Sequence, residues 1–163
     1  MVRKYSYEEN IPRRLYRKIV SCMPICCVDL ILMSKGKVYL FKRAYNPAKG
    51  KWWIVGGRIL KGEKMEDAAA RKAKEEIGVE VKIKKMIGVY EAFFSASRFD
   101  TRTQKHGAHS ISICFLAEPK SRNFKFRLND EYSGYKAISR IERKLDPMIR
   151  KVLIDSCLFR NRN

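Results

Sequence analysis

Gly56-Gly57-Arg58-Ile59-Leu60-Lys61-Gly62-Glu63 opens a stretch that closes on Ala70-Arg71-Lys72-Ala73-Lys74-Glu75-Glu76-Ile77-Gly78-Val79. Between them, Met65 to Ile77 reads as a helix: alanines cluster, and Met65, Ala69, Ala73 and Ile77 fall on one stripe. Gly78 follows as the helix stop. Lys72, Glu75 and Glu76 stand at i, i+3 and i+4, so one helix face presents them together. Glu75 and Glu76 can hold a hard cation against a diphosphate, because magnesium favours one or two carboxylates with waters and phosphate oxygens. A backbone carbonyl from a Gly56-Gly57 turn would join them, the missing Cβ permitting close approach. Arg71 can pair with Glu63 or Glu75 and orient the carboxylates rather than touch a ligand. Taken alone, Glu75 and Glu76 equally suit a solvated helix with ordinary i,i+4 pairs; the glycines, Glu63 and Arg71 in register decide for chemistry.

Upstream, Ile11, Leu15, Ile19 and Cys22 recur at near-helical spacing, which predicts a helix over about residues 9–22 ending before Pro24. Ile25 to Met33 is an apolar run suited to a buried strand, interrupted by Asp29 alone. Gly36 marks a tight turn, and Val38 to Arg43 a second strand. Tyr45 to Lys51 is a loop, and Lys51 to Val55 a short strand running into the glycines. Downstream, Val79 to Val89 and Ser110 to Ala117 alternate like strands across a polar loop. Tyr132 to Ile138 reads as a last strand and Asp146 to Phe159 as a closing helix. The expected fold is α/β, a mixed β-sheet between α-helices, with residues 1–163 forming one domain.

Composition limits what such a domain can be. The chain has 163 residues, 45% of them hydrophobic, enough for a single core and too many for a disordered chain. No apolar run approaches the ~20 residues that span a bilayer, and the charged N-terminus lacks a signal-peptide core, so a soluble, cytoplasmic protein is expected. The five cysteines show no Cys-x-x-Cys pair and read as free, mostly buried thiols. A formal charge of +19 attracts anionic ligands. Its basic residues are spread along the chain without the aromatic interleaving of a nucleic-acid module, so a phosphorylated small molecule is favoured over RNA or DNA.

The segment over residues 57–79 resembles the Nudix box, a loop–helix–loop of pattern G-x5-E-x7-R-E-U-x-E-E-x-G-U. Gly57, Glu63, Arg71, Glu75, Glu76 and Gly78 land in register, and Lys72 replaces the first glutamate of R-E-U-x-E-E. Replacing a carboxylate by an ammonium implies fewer bound metals, most simply one. Outside the box, Val28-Asp29-Leu30, Lys42-Arg43 and Asn46-Pro47-Ala48-Lys49-Gly50-Lys51-Trp52 are similar to the GDP-mannose mannosyl hydrolase branch of Nudix proteins, which also lacks that glutamate.

This resemblance implies a Nudix fold and hydrolysis of a nucleoside diphosphate sugar with Mg2+ (or Mn2+). Gly56 (carbonyl), Glu75, Glu76 and Glu131 would be the metal set. Arg43 and Arg58 would meet the diphosphate, and Asp29 would lie near the nucleotide or sugar. Glu75, Glu76, Arg58 and Glu131 are the catalytic candidates, while Gly57, Glu63, Arg71 and Gly78 shape the box. In that branch water attacks the sugar's anomeric carbon. Here Tyr132 falls where the branch has a histidine base, and an unperturbed phenol (pKa about 10) is a poor base near neutrality. His109 is an alternative base, attack at phosphorus an alternative reaction, and a non-catalytic nucleotide or RNA binder an alternative of another kind. A homodimer is common among such relatives.

Overall fold

The computed structural model describes residues 11–103 and 105–159. In chain order these form α1 (Arg13–Cys22), β1 (Ile25–Ser34), β2 (Lys37–Arg43), β3 (Trp52–Trp53), β4 (Val55–Arg58), α2 (Met65–Ile77), β5 (Val81–Phe94), β6 (Ala108–Pro119), β7 (Tyr132–Ile138) and α3 (Pro147–Asp155). Residues 9 and 10 of the expected N-terminal helix lie outside the described residues. Within them that helix starts at Arg13, after Pro12, whose ψ of 134° is extended. Its apolar stripe does not enter the core, for none of its residues is buried.

The seven strands make one mixed sheet of order β3-β2-β1-β6-β5, with β4 added to β1 and β7 to β2. β1 runs parallel to β6 along Ile25–Leu32. Its other edge is divided between two antiparallel partners, β4 along Cys27–Leu30 and β2 along Leu32–Ser34. The sheet therefore forks at β1. A single residue, Ile54, separates β3, which pairs with β2, from β4, which pairs with β1. The expected continuous strand Lys51–Val55 is thus two strands on opposite prongs. Gly56 and Gly57, expected in a turn, lie inside β4, because a glycine is needed there beside β1 rather than for a bend.

Strand alternation sorts the core into two layers. Val28, Leu30, Leu32, Ile113 and Phe115 pack beneath Ala68, Ala69, Ala73 and Ile77 of α2. Ile31, Leu40, Leu116 and Ile54 pack against Ile149, Val152 and Leu153 of α3 on the opposite face. Helices thus cover both faces of the sheet, as expected of the α/β class. Each large buried side chain contributes roughly 1.5–3 kcal/mol.

α2 ends on Gly78 with φ +70°, a left-handed cap, and a Cβ there would come within 2.9 Å of the Arg127 Cβ. α3 starts where the Asp146 carboxylate accepts from the Met148 amide, and is shorter than the expected span to Phe159. The thiols correct their expectation: Cys22, Cys26 and Cys157 are exposed and Cys114 alone is buried, all five being free. Cys22 and Cys157 sit at helix ends, and Cys26 on the outward face of β1. No helix among the described residues is long and apolar enough to cross a membrane.

Candidate active site

The fork leaves a cleft of about 300 Å³ at the N-terminal half of β1. Asp29 faces Gly56 across the β1–β4 pair, and the space a Cβ on Gly56 would fill is occupied by the Asp29 Oδ1 and the Val28 carbonyl. The second glycine admits a different group. A Cβ on Gly57 would stand 2.7 Å from Lys72 Cε, so the absent side chain makes room for the lysine stem reaching over from α2.

Two acids lie buried in the cleft wall. Asp29 is 6% exposed and Glu76 3%. Burial above all, helped by the nearby Glu76, pushes the Asp29 carboxyl up to about 7, against the Ser112 hydroxyl that donates to it and the Arg43 charge. Glu76 has both oxygens engaged: Oε1 lies 2.5 Å from Lys72 Nζ, and Oε2 accepts from the Tyr132 hydroxyl at 2.7 Å.

Tyr132, at the position of the branch's histidine base, is therefore a buried donor. Burial and the Glu76 carboxylate hold its hydroxyl well above its ordinary value. Tyr132→Phe is expected to cost about 1.5–3 kcal/mol of stability, the worth of one hydrogen bond to a charged group. It should leave the shape of the pH–rate profile unchanged; loss of a limb of that profile would mean that Tyr132 exchanges protons with substrate.

Other charges frame the cleft. Arg43 lies 3.3 Å from Glu131, with its guanidinium over the Tyr132 ring. Glu131 also accepts two bonds from Arg98 at 2.6 and 2.7 Å. Burial would raise its pKa, but the Arg98 and Arg43 charges win and hold it below the usual carboxylate range. Arg58 lies over the Tyr16 ring at 5.3 Å, and Tyr16 meets Phe99 edge-on. His109 lines the cleft, stacked on Phe93 with centroids 4.3 Å apart.

Of the residues expected from sequence, Asp29, Arg43, Gly56, Arg58, Glu76 and Glu131 line this one cleft. Glu75 does not: its side chain is 47% exposed and clasped by Arg71 at 3.1 Å. Arg71 also grips Glu63 with bonds of 2.7 and 2.8 Å and donates to the Arg58 carbonyl at 3.2 Å. Glu63 in turn accepts from the Leu60 amide at 3.1 Å, fastening the loop to the helix. Sequence reasoning missed Ser112 and Arg98, one in a strand and one in a polar loop, where nothing local marks either. It placed Lys72 on the helix face of Glu75 and Glu76 but gave its ammonium no partner there.

Buried carboxylate oxygens are donors that a hard cation takes, and both oxygens of Glu76 are here held by Lys72 and Tyr132, so a cation reaching Glu76 would have to displace the ammonium. Among the described residues no group of three His, Cys, Asp or Glu side chains gathers as a metal cluster.

The profile of the NUDIX domain family matches residues 25–152. The chain is 38% identical over 97 residues to the low-salt glycan biosynthesis protein Agl8 of Haloferax volcanii, covering 60% of this chain and 62% of that protein. It is 34% identical over 116 residues to an ADP-ribose pyrophosphatase of Methanocaldococcus jannaschii, covering 71% and 63%. The matches thus span less than two thirds of either relative. A MutT NUDIX hydrolase from Burkholderia pseudomallei superposes with a TM-score of 0.65 at 21% identity, over 82% of this chain and 98% of that one, a likeness of fold.

Proposed function

The chain belongs to the NUDIX domain family, and on that premise we propose that it hydrolyses nucleoside diphosphate derivatives, with nucleotide sugars as substrates and a nucleoside diphosphate and free sugar as products. The observation that carries this reading is the cleft itself. It sets the buried acids Asp29 and Glu76 beside Arg43, Arg58 and Lys72, around a glycine pair that lets them converge. A doubly charged diphosphate needs such cations, and guanidinium forks match its oxygens. The relatives' names point the same way, one to a nucleoside diphosphate compound and the other to glycan synthesis. We read residues 1–163 as one such domain.

Glu76, once its Oε1 is given up by Lys72, would hold a single magnesium with the Gly56 carbonyl; Glu75 and Glu131 are clasped by arginines and would likewise have to be released to join it. The metal supplies charge neutralisation of the departing diphosphate. Arg43 and Arg58 orient the phosphates, Tyr132 fixes the Glu76 carboxylate, and the Tyr16–Phe99 pair walls the cleft mouth. With Tyr132 tied to Glu76, the proton of the attacking water falls to Asp29, the cleft acid whose charge changes near neutrality.

The same tie favours a second reading. Without a base at the Tyr132 position, attack at phosphorus would release a nucleoside monophosphate instead. Hydrolysis of a panel of nucleotide sugars and ADP-ribose in isotopically labelled water, with magnesium, separates the two. Label in the sugar is the expected result; label in phosphate assigns the second reading. A protein that binds these compounds without turning any over is a binding module.

A further inference from the structure

We propose that Lys72 is a built-in cation of the cleft, whose ammonium binds the diphosphate directly and gives the site an affinity for it that needs no divalent metal. The inference rests on the reading of the cleft as a diphosphate site and adds to it a residue that the Nudix box does not provide. The starting point is where the side chain goes. Lysines of this chain mostly extend into water; Lys74, two residues on, is 68% exposed and pairs with the equally open Glu80. Lys72 does the opposite. Its side chain is 18% exposed, folds back over β4, and ends 2.5 Å from Glu76 and 3.6 Å from Glu75.

This position is built rather than incidental. The stem lies in the space vacated by Gly57, where any Cβ would stand 2.7 Å from Lys72 Cε. The ammonium lines the cleft together with Arg43, Arg58, Asp29 and Glu76. Two other cations of the wall are committed, for Arg98 and Arg43 are both held on Glu131. Lys72 has three donors; Glu76 is within hydrogen-bonding distance at 2.5 Å, whereas Glu75 at 3.6 Å is only an ion-pair neighbour. An arriving phosphate oxygen can take one donor while Glu76 keeps another, so the ammonium bridges protein and ligand without being uncovered. A cation fixed to the chain cannot be chelated, and it contends with a divalent ion for Glu76 Oε1.

Calorimetry with inorganic pyrophosphate in excess EDTA, at constant ionic strength, tests this on the full chain. Wild type is expected to bind. Lys72→Met should weaken binding at least about ten-fold, the range of a lost charge-assisted hydrogen bond. Lys72→Arg should restore most of the affinity, and Lys74→Met should change it less than two-fold. As a second readout, Mn2+ binding without nucleotide, followed by electron paramagnetic resonance, should tighten in Lys72→Met and Lys72→Gln because the contender for Glu76 is gone. Equal weakening by Lys72→Met and Lys74→Met would reduce the effect to overall charge and overturn the proposal. So would unchanged pyrophosphate affinity in folded Lys72→Met, or unchanged Mn2+ affinity in both neutral variants. Turnover of nucleotide sugars by wild type, measured on the same preparations, keeps the two questions apart. Turnover with unaltered pyrophosphate binding in Lys72→Met sinks this inference alone, whereas absence of turnover sinks the hydrolase reading and leaves the binding result to stand.

Discussion

Glu76→Gln is expected to lower turnover of a nucleotide sugar at least about a thousand-fold, roughly 4 kcal/mol of transition-state stabilisation. Glu76 is buried to 3% exposure and carries the charge that Lys72 and a hard cation both seek. The amide keeps the size of the side chain and one acceptor for the Tyr132 hydroxyl. It loses the negative charge, and it turns an N–H2 group toward the Lys72 ammonium. Stability should fall too, by about 1–3 kcal/mol, so the comparison is made well below the melting temperature of the variant. The decisive quantity is kcat with magnesium for the folded variant. A value within ten-fold of wild type would remove Glu76 from the chemistry.

Arg71→Ala should have the largest effect on stability, about 3 kcal/mol or more, read as a shift of the urea midpoint. Arg71 holds Glu63 through two bonds, and the Glu63 side chain is only 6% exposed. Truncation leaves that carboxylate buried without its partner and strips a donor from the Arg58 carbonyl. Breaking one side of such a pair costs more than the pair contributes. The Glu75 contact adds little, since that carboxylate is largely open to water.

The pH dependence has a definite sign. Burial would raise the Glu63 pKa, but the Arg71 guanidinium and the Leu60 amide outweigh it and hold the carboxyl below its ordinary value. A lowered folded pKa means a contribution fully present above the unfolded carboxylate pKa of about 4.3. That contribution is lost as pH falls through the lower folded value. Wild type and Arg71→Ala should therefore converge as pH falls below the ordinary carboxylate range, and Glu63→Gln in the Arg71→Ala background should recover part of the loss. A variant within 0.5 kcal/mol of wild type at pH 7 would show that the clasp is ornamental.

The sequence makes α2 legible to its end residues because its signals are local: clustered alanines, a stripe every turn, and a glycine that adopts φ +70° to stop it. The alternation and apolar runs of β1, β6 and β7 are equally local. What the sequence hides is whatever depends on partners far along the chain. Gly56 and Gly57 look like a bend because glycine usually punctuates chains. Their reason lies in Asp29 on another strand and Lys72 on a helix, neither of which is a sequence neighbour. Tyr132 looks like a poor base and is instead a donor to a carboxylate 56 residues away. Glu131 is legible as an acid beside the site, but the Arg98 that claims it comes from a loop with no periodicity to read. Within the box the sequence also points to Arg71 pairing with Glu63 or Glu75, and both pairs form; the pairings that leave the box, Tyr132 on Glu76 and Arg98 on Glu131, required a fold.

The fork in the sheet also bears on how this chain can change by insertion and deletion. Ile54 is the whole length of chain between the prong that carries Trp52 and Trp53 and the prong that carries the two glycines, and its side chain is 1% exposed. There is no slack at this joint. One residue gained or lost between Trp53 and Val55 must slide β4 along β1 or β3 along β2, and a slide of one position turns every side chain to the opposite face. Gly56 would leave Asp29 and Gly57 would leave Lys72 in the same event. Length variation in descendants of this chain should therefore collect in the loops at 44–50 and 95–107 and be missing from 52–58, however freely the residue types there drift.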